Sequence, residues 1–449
     1  MAPRFGTDGI RGAANAELTP ELVLALGRAV VKVLGPPQCL VGRDTRRSGA
    51  MLSASLSAGL ASEGVDVVDV GVAPTPAVAH LSQALGVPGL VVSASHNPFA
   101  DNGVKVFAAG GLKLDTSREA EIEAHLEALS GVSPEAEPVQ RRSGAGVGDI
   151  AEGGNLLERY QDHLFGALEG RSLAGLSIVL DCANGAAARV AAEVFRRTGA
   201  TVTVVADEPD GLNINTRCGS TNPELMSEAV RAGGADIGLA FDGDADRLLA
   251  VDAAGRLVDG DHLISLFARD LAARGVLKNS AVAVTVMTNL GFHRAMDQAG
   301  IKVVQTPVGD RNVLDAIELN GLVLGGEQSG HIIFRELATT GDGLLTGLLL
   351  ADLVCRSGSP LSVLAAGAMT RLPQCLLNVR VEGAPELDRC SAVWDAVAAA
   401  EVELGADGRV LLRASGTEPV VRVMVEAPTD EAARRTASRI AALVESHLG

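Results

Sequence analysis

The sequence predicts an α/β fold, with three related α/β domains that contain mixed sheets and a smaller C-terminal α+β domain. Two observations carry this prediction. Three consecutive stretches of about 100 residues each alternate apolar strands with helical segments and end a hydrophobic strand at a polar loop. Beyond residue 367 the pattern changes to a shorter set of strands and helices. The repeat is one of architecture, because the three stretches share no obvious sequence identity.

The length of 449 residues exceeds what one hydrophobic core supports, so several domains are expected. We place the domains at residues 1–150, 151–254, 255–367 and 368–449. The first boundary lies in the segment 131–154, which is rich in Pro, Gly, Ser and charged residues. Aromatic residues make up 2% of the chain, so the cores should be aliphatic.

The net charge of −17, from 38 basic and 55 acidic residues, argues against a general nucleic-acid binder, which needs a basic surface. The six cysteines contain no C-x-x-C pair, so neither a disulfide framework nor a zinc knuckle is indicated. The start of the chain lacks the apolar segment of a secretory signal, and no apolar stretch is long enough to span a membrane. We therefore expect a cytoplasmic protein that binds neither nucleic acid nor a membrane.

The first domain opens with R-F-G-T-D-G-I-R-G at residues 4–12, which we interpret as a glycine-rich loop. Thr19, Pro20 and Gly35 are the N-cap, first-turn and terminal residues expected of a helix between them. The remaining pattern predicts strands at 38–42, 65–70 and 89–92 and helices at 48–63, 77–85 and 118–129.

The other domains follow similar alternations. The second is predicted to contain strands 176–180, 201–205 and 236–241 and helices 186–197 and 223–231. The third is predicted to contain strands 281–286, 302–305 and 322–324 and helices 291–299 and 311–319. The C-terminal domain is predicted to contain strands 377–381, 409–413 and 420–426 and helices 392–402 and 430–446.

Ser95 is the candidate nucleophile. It lies in V-V-S-A-S-H-N-P, where an apolar strand stops at a small polar loop, and ligands of α/β proteins bind beyond the carboxyl ends of strands. Taken alone, the motif is equally typical of an ordinary turn. Three later motifs favour the functional interpretation.

The most informative of these motifs is D-G-D-A-D-R, which contains Asp242, Asp244 and Asp246. Carboxylates at this spacing converge only around a cation, since their repulsion is otherwise uncompensated. An EF-hand is excluded, because Arg247 replaces its turn glycine and Ala253 its bidentate glutamate. Mg²⁺ fits the oxygen ligands better.

The other two motifs suggest ligand-binding loops. R-A-S-G-T-E-P combines a guanidinium, two hydroxyls and glycine backbone into a predicted phosphate site, with Arg422 a few residues further on. In G-E-Q-S-G-H, Glu327 and Ser329 are candidates for sugar hydroxyls and His331 for proton transfer. Arg11, Lys105 and Arg247 are candidates for neutralising a phosphoryl group.

With these four loops in this order, the chain resembles the α-D-phosphohexomutase superfamily over essentially its whole length. The resemblance implies four domains around a central cleft and a phosphoserine at Ser95. It implies one Mg²⁺ per chain, held by Asp242, Asp244 and Asp246 and completed by the Ser95 phosphate. It further implies sugar contacts from Glu327 and Ser329, supporting roles for Arg11, Lys105, Arg247 and His331, and a site for the non-reacting phosphate formed by Arg413, Ser415, Gly416, Thr417 and Arg422.

Four stretches resemble the branch of this superfamily that acts on glucosamine phosphates: the opening F-G-T-D-G-I-R-G, N-I-N-T-R-C-G-S-T at 213–221, T-T-G-D-G at 339–343 and S-G-T-E-P-V-V-R-V-M-V-E. The resemblance implies reversible conversion of glucosamine 6-phosphate to glucosamine 1-phosphate, with glucosamine 1,6-bisphosphate as intermediate and activator. It also implies a role in supplying amino-sugar nucleotide and cell-wall precursors. We expect a monomer or homodimer. Three alternatives stay open: a phosphatase, a silent sugar-phosphate-binding protein, and a mutase that prefers glucose or mannose phosphates.

Overall fold

The computed structural model describes residues 4–6, 8–129, 142–381, 387–414 and 419–448, and it confirms the predicted fold class. The chain forms two compact units. The first unit comprises Met1–Met287 and Ile301–Ala366, and the second comprises Thr288–Gly300 and Gly367–Gly449. Three of the four sheets belong to the first unit.

The first sheet contains seven strands in the order β1-β2-β6-β5-β3-β4-β7. These strands are β1 (Phe5–Gly6), β2 (Gly9–Ala13), β3 (Gln38–Arg43), β4 (Asp66–Val72), β5 (Gly89–Val92), β6 (Asp101–Phe107) and β7 (Ile150–Glu152). Its helices are α1 (Pro20–Leu34), α2 (Arg47–Ser62), α3 (Thr75–Leu85) and α4 (Thr116–Leu129).

The second sheet has the order β12-β11-β10-β8-β9. Its strands are β8 (Ser177–Asp181), β9 (Thr201–Val205), β10 (Ile237–Phe241), β11 (Leu248–Asp252) and β12 (Leu257–Val258). The helices of this part are α5 (Leu156–Gly166), α6 (Ala191–Arg197) and α7 (Glu224–Gly233).

The third sheet has the order β14-β13-β15-β16. Its strands are β13 (Ala281–Thr285), β14 (Lys302–Thr306), β15 (Leu324–Gly326) and β16 (Ile332–Phe334). The helices in this stretch of the chain are α8 (Gly260–Ala273), α9 (Leu290–Gln298), α10 (Asp310–Asn320), α11 (Gly343–Ser357) and α12 (Leu361–Ala368).

The three sheets share one plan, which explains where the polar loops lie. In each, three parallel strands are followed by an antiparallel fourth, giving β4-β3-β5-β6, β9-β8-β10-β11 and β14-β13-β15-β16. The loops with Ser95, the three aspartates and Glu327 each connect the third strand to its antiparallel neighbour. Each loop therefore leaves the carboxyl end of the third parallel strand of its set.

The core of the first sheet is aliphatic, as the composition of the chain predicts. Helices α1 and α2 pack closely against each other at two glycines, Gly27 of α1 and Gly59 of α2. A Cβ at Gly27 would lie 2.6 Å from the Leu56 carbonyl oxygen, and one at Gly59 would lie 2.2 Å from that of Leu24. Only glycine allows this close approach of the two backbones.

The predicted caps of α1 are present: Thr19 accepts a hydrogen bond from Leu22 N at 3.3 Å, and Gly35 has φ 55°.

The second unit contains an antiparallel sheet in the order β17-β19-β18. Its strands are β17 (Gln374–Arg380), β18 (Arg409–Ala414) and β19 (Val420–Glu426), and its C-terminal helices are α13 (Ser391–Leu404) and α14 (Asp430–Leu448). Helix α9 also belongs to this unit, where the buried side chain of Glu426 accepts from Leu290 N at 2.8 Å, at the first turn of that helix.

Two sequence-based interpretations were wrong. Residues 4–12 include two short strands, β1 and β2, where we expected a glycine-rich loop. Strand β2 pairs with β6, because Gly9 lies against the Val104 carbonyl where a side chain would not fit. The helix expected at 186–197 begins as a 3₁₀ turn (Ala186–Arg189) before α6, because Ala186 N is drawn into a 2.8 Å hydrogen bond to Gly243 O.

No single helix in the described ranges is long and apolar enough to cross a membrane. Helices α11 and α12 satisfy length and composition only as a pair, which is bent by 99°.

Candidate active site

Ser95 lies in a tightly braced loop after β5. Its φ of 52° is unusual for a residue other than glycine, and its side chain is fully buried. Its Oγ donates to Oδ2 of Asp242 at 2.5 Å, and its backbone N–H donates to Ser93 Oγ at 3.0 Å. The candidate nucleophile is therefore held against Asp242, the first aspartate of the D-G-D-A-D-R segment at residues 242–247, which we call the acidic loop.

Arg46, which no motif in the sequence indicates, holds this loop by hydrogen bonds to its backbone carbonyl oxygens. Its Nη2 donates to the carbonyl oxygens of Ser95 at 2.9 Å and Asn97 at 2.8 Å, and its Nη1 donates to that of Asp101 at 3.1 Å. Asp44 accepts from Arg46 Nε at 2.9 Å. Burial raises the pKa of Asp44, although Arg46 opposes the shift.

Asn215 also holds the Ser95 loop, with Nδ2 2.9 Å from the Ser95 carbonyl oxygen. This residue belongs to the stretch N-I-N-T-R-C-G-S-T, which the sequence analysis used only to assign a branch. The contact could not be inferred from the sequence, because Asn215 and Ser95 are 120 residues apart.

The three aspartates converge. Asp242, Asp244 and Asp246 are buried and each offers a carboxylate oxygen within 4.8 Å of the others. Oδ2 of Asp244 and of Asp246 accept from Lys105 Nζ at 2.8 and 2.9 Å. Oδ1 of each finds no hydrogen-bond donor among the described residues.

This donor set fits a cation. Buried carboxylate oxygens without a partner are costly, and Asp244 and Asp246 each have one here. Burial raises the pKa of Asp242 well above its usual value, and repulsion from Asp246 and Asp244 adds to the shift. A divalent cation with oxygen ligands would compensate both effects.

Lys105 links this loop to a chain of charges that the sequence analysis largely missed. Its Nζ lies 2.9 Å from Oδ2 of Asp8, and Lys113 Nζ lies 2.7 Å from Oδ1 of the same carboxylate. Arg11 on β2 also donates to Asp8, and Lys113 pairs with Asp310. Desolvation opposes ionisation of Asp8, but these cations, Lys105 foremost, hold its pKa well below the usual range.

Arg247 ends the acidic loop as predicted. Its backbone N–H donates to Asp242 Oδ1 at 3.2 Å, and its guanidinium lies 3.8 Å from Asp246. Its Nε has no acceptor in the part of the chain that the structure describes. Although burial opposes charging, Asp246 and Asp242 raise the pKa of the guanidinium, which therefore stays a cation.

The predicted sugar loop lies next to the same cluster. Glu327 Oε1 accepts from Gly309 N at 3.1 Å, and Ser329 Oγ has no partner within the described ranges. His331 is buried, with Nδ1 3.7 Å from Asp246 Oδ1. Its Nε2 accepts from Gly341 N at 3.1 Å, so the neutral ring carries its hydrogen on Nδ1, towards Asp246.

The predicted phosphate-binding residues lie in the second unit. Arg413 on β18 is the register partner of Arg422 on β19. Burial and the neighbouring charge of Arg422 lower the pKa of Arg413. A bound anion would offset the repulsion between the two guanidinium groups. Ser415, Gly416 and Thr417 lie outside the described residues.

Comparison with known proteins identifies relatives of the whole chain. The phosphoglucomutase/phosphomannomutase family matches in four parts: alpha/beta/alpha domain I at residues 2–131, domain II at 158–255, domain III at 259–372 and the C-terminal domain at 376–443. A phosphoglucosamine mutase of Frankia alni is 52% identical over 461 residues, which cover 100% of this chain and 99% of the relative.

Solved structures show a similar fold. A phosphoglucomutase/phosphomannomutase family protein of Burkholderia thailandensis has a TM-score of 0.81 and 25% identity, covering 98% of this chain and 97% of its own. The N-acetylphosphoglucosamine mutase of Aspergillus fumigatus, in complex with GlcNAc-6P and magnesium, has a TM-score of 0.69 and 21% identity, with 99% and 95% covered. At the latter identity the likeness concerns the fold alone.

Proposed function

Because the chain belongs to the phosphoglucomutase/phosphomannomutase family, we propose that it catalyses the reversible conversion of glucosamine 6-phosphate to glucosamine 1-phosphate. The carrying observation is the 2.5 Å hydrogen bond between Ser95 Oγ and Asp242, which brings a candidate nucleophile to a cluster of carboxylates that could hold a cation. The name of the relative at 52% identity supports glucosamine phosphate as the substrate.

In the proposed reaction, phosphorylated Ser95 transfers its phosphoryl group to the anomeric hydroxyl of glucosamine 6-phosphate. The phosphorus–oxygen bond to Ser95 breaks as the bond to the sugar oxygen forms, and the proton that the sugar hydroxyl loses is balanced by the proton that the freed Ser95 oxygen takes up. The return transfer reverses this exchange at the 6-hydroxyl. The product, glucosamine 1,6-bisphosphate, then turns over, and its 6-phosphoryl group returns to Ser95. Glucosamine 1-phosphate leaves, and the enzyme is phosphorylated again.

The charges of the cluster suit this transfer. A phosphoserine carries a charge of about −1.5 to −2 at neutral pH, which would be repelled by Asp242, Asp244 and Asp246 alone. Those aspartates would hold Mg²⁺ together with the Ser95 phosphate, and the ion would stabilise charge on the transferring group. Lys105 is held beside the same carboxylates and adds a fixed positive charge.

The remaining predicted residues have roles in binding. Glu327 and Ser329 are proposed to contact sugar hydroxyls, for which the unpartnered hydroxyl of Ser329 is suited. Arg11, Arg247 and His331 are proposed to support the reacting groups. The loop of the second unit, with Arg413, Ser415, Gly416, Thr417 and Arg422, is proposed to bind the phosphate that does not react. A cytoplasmic location and a monomeric or dimeric state remain predictions.

The proposed function can be tested by ³¹P NMR of the phosphorylated protein with Mg²⁺ and, in separate samples, glucosamine 6-phosphate and glucose 6-phosphate. We expect faster conversion of the amino sugar to its 1-phosphate and no conversion by Ser95→Ala. Faster conversion of the glucose compound would keep the mechanism but overturn the substrate. Steady growth of inorganic phosphate would instead indicate a phosphatase, and binding that survives both EDTA and Ser95→Ala without turnover would indicate a silent binding protein.

A further inference from the structure

Thr75 makes two hydrogen bonds to the acidic loop from a distant part of the sequence. Its Oγ1 donates to Asp244 Oδ2 at 2.6 Å, and its backbone N–H donates to the Asp244 carbonyl oxygen at 2.9 Å. Both residues are buried, and 169 positions separate them. Thr75 therefore contacts both the backbone and the side chain of one aspartate.

The sequence around Thr75 makes this contact rigid. Thr75 is the first residue of α3, and it lies between Pro74 and Pro76. The first N–H groups of a helix have no partner inside the helix, and proline has none to offer. The N–H of Thr75 is therefore available to Asp244. Its β-branched side chain has few χ1 rotamers, which restricts movement of the hydroxyl away from the carboxylate.

The contact decides which oxygen of Asp244 remains available. Oδ2 is occupied by two donors, Thr75 Oγ1 at 2.6 Å and Lys105 Nζ at 2.8 Å. Oδ1 is buried without a donor among the residues that the structure describes. Lys105 also binds Asp246 and Asp8, so its contact is shared among three carboxylates and is not specific to Asp244.

We propose that Thr75 is a positioning residue that turns Oδ1 of Asp244 towards the cation of the acidic loop. The inference rests on the proposed function only in taking the aspartate cluster as the cation site. Groups that orient a metal ligand from behind typically change metal affinity by about 10- to 100-fold when they are removed. The hydrogen bonds that Thr75 donates go to Asp244 and not to the nucleophile or the substrate loops, so its effect should run through the metal.

The test is calorimetric titration of Mg²⁺ into the full-length protein and its Thr75→Val and Thr75→Ser variants, all brought to one phosphorylation state. Valine has nearly the shape of threonine and keeps the backbone bond to Asp244, but it lacks the hydroxyl. We expect Thr75→Val to bind Mg²⁺ about 10- to 100-fold more weakly and Thr75→Ser to stay within about threefold of the wild type.

The matched control is Thr198→Val. Thr198 is also buried, and its hydroxyl donates to the Phe195 carbonyl oxygen at 2.6 Å, with no described contact to the acidic loop. This variant should bind Mg²⁺ like the wild type. Circular dichroism and thermal melting without Mg²⁺ establish that each variant is folded, and Thr75→Ala replaces Thr75→Val if the latter is not.

The outcomes separate the inference from the proposed function. Wild-type affinity in the folded hydroxyl-free Thr75 variant would overturn the positioning role and leave the cation site intact. An equal loss in Thr75→Ser and Thr75→Val would also overturn it, because the hydroxyl would then not be the cause. If the wild-type protein itself binds no Mg²⁺, the proposed metal site fails with it.

Discussion

Ser95 Oγ and Asp242 Oδ2 share a 2.5 Å hydrogen bond across 147 positions of sequence, and both side chains are buried. The serine donates this bond, so the carboxylate is the acceptor that its hydroxyl hydrogen faces. The same carboxylate has a raised pKa because of burial and the charges of Asp246 and Asp244.

Asp242→Asn should lower kcat by about 100-fold or more, because an amide neither carries the charge that holds a cation nor accepts as strongly from Ser95. The measurement is the steady-state rate at which the phosphorylated protein converts glucosamine 6-phosphate to glucosamine 1-phosphate with Mg²⁺ and saturating substrate. Asp297→Asn removes an exposed carboxylate and should leave the rate unchanged. Transfer at the wild-type rate in Asp242→Asn would contradict the role of this carboxylate.

Gly243→Ala should disturb the same pair through backbone packing. A Cβ at Gly243 would lie 2.5 Å from the Ser95 carbonyl oxygen and 2.8 Å from Ile214 Cδ1, so the acidic loop must shift away from the serine. We expect kcat to fall at least about tenfold with a smaller effect on KM.

The control for this change is Gly233→Ala near the end of α7. A Cβ there meets no described atom within 4 Å, and alanine favours helix over glycine by about 1 kcal/mol. Unchanged kcat in Gly243→Ala would show that the loop accommodates a methyl group without moving its carboxylates.

Asp342 should make stability depend on pH. Burial raises its pKa to about 7, although Leu345 N–H and Tyr160 OH oppose the shift. The pKa in the unfolded chain is near 3.9, so between about pH 4 and 7 the folded state binds the extra proton. The contribution of Asp342 to the free energy of unfolding therefore falls as the pH rises through this window.

The variant for this test is Asp342→Asn, which does not titrate but still caps the N-terminus of α11. The free energy of unfolding in urea, wild type minus variant, should decrease between about pH 4 and 7 and become constant above about pH 8. A difference that is flat across the window would show that Asp342 stays ionised in the folded protein.

Glu426→Gln should destabilise the second unit. The buried Glu426 carboxylate accepts from Arg409 Nε at 2.8 Å, Leu290 N at 2.8 Å and Asn289 Nδ2 at 3.2 Å. Removing one member of a buried ion pair typically costs about 3 to 5 kcal/mol. Denaturant unfolding should show a loss of this size in the second unit.

The comparison for this loss is Glu403→Gln. Glu403 pairs with Arg439 at 2.8 Å, but both side chains are about half exposed, at 47% and 49%. Exposed pairs contribute less than about 1 kcal/mol. Equal losses in the free energy of unfolding of the two variants would show that burial does not strengthen the Glu426 contacts.

The sequence predicted strands best where an apolar run is bounded by turn residues. Strands β5, β9 and β19 have the predicted bounds to the residue. Strands β1 and β2 were missed because a glycine-rich stretch has no apolar alternation, and β2 forms through its pairing with β6. Helices α5, α8, α11 and α12 were not predicted either.

Loop composition was informative for the site, since Ser95 and the three aspartates each stand out from the strands before them. The structure brings those four side chains together. Thr75, Arg46 and Asp8 could not be found in this way. Their significance comes from contacts such as Thr75 to Asp244, which depend on how distant segments pack, and nothing near them in the sequence indicates their partners.

Arg46 has a consequence for how the molecule would pass through its reaction cycle. One guanidinium ties together the carbonyl oxygens of Ser95, Asn97 and Asp101, a fork that lysine could not reproduce with its single nitrogen. We expect a loop tied in this way to keep the same backbone whether its serine is bare or esterified. The proposed exchange of a phosphoryl group would then require little reorganisation of the chain, so the barrier would reflect the chemistry rather than movement of the loop.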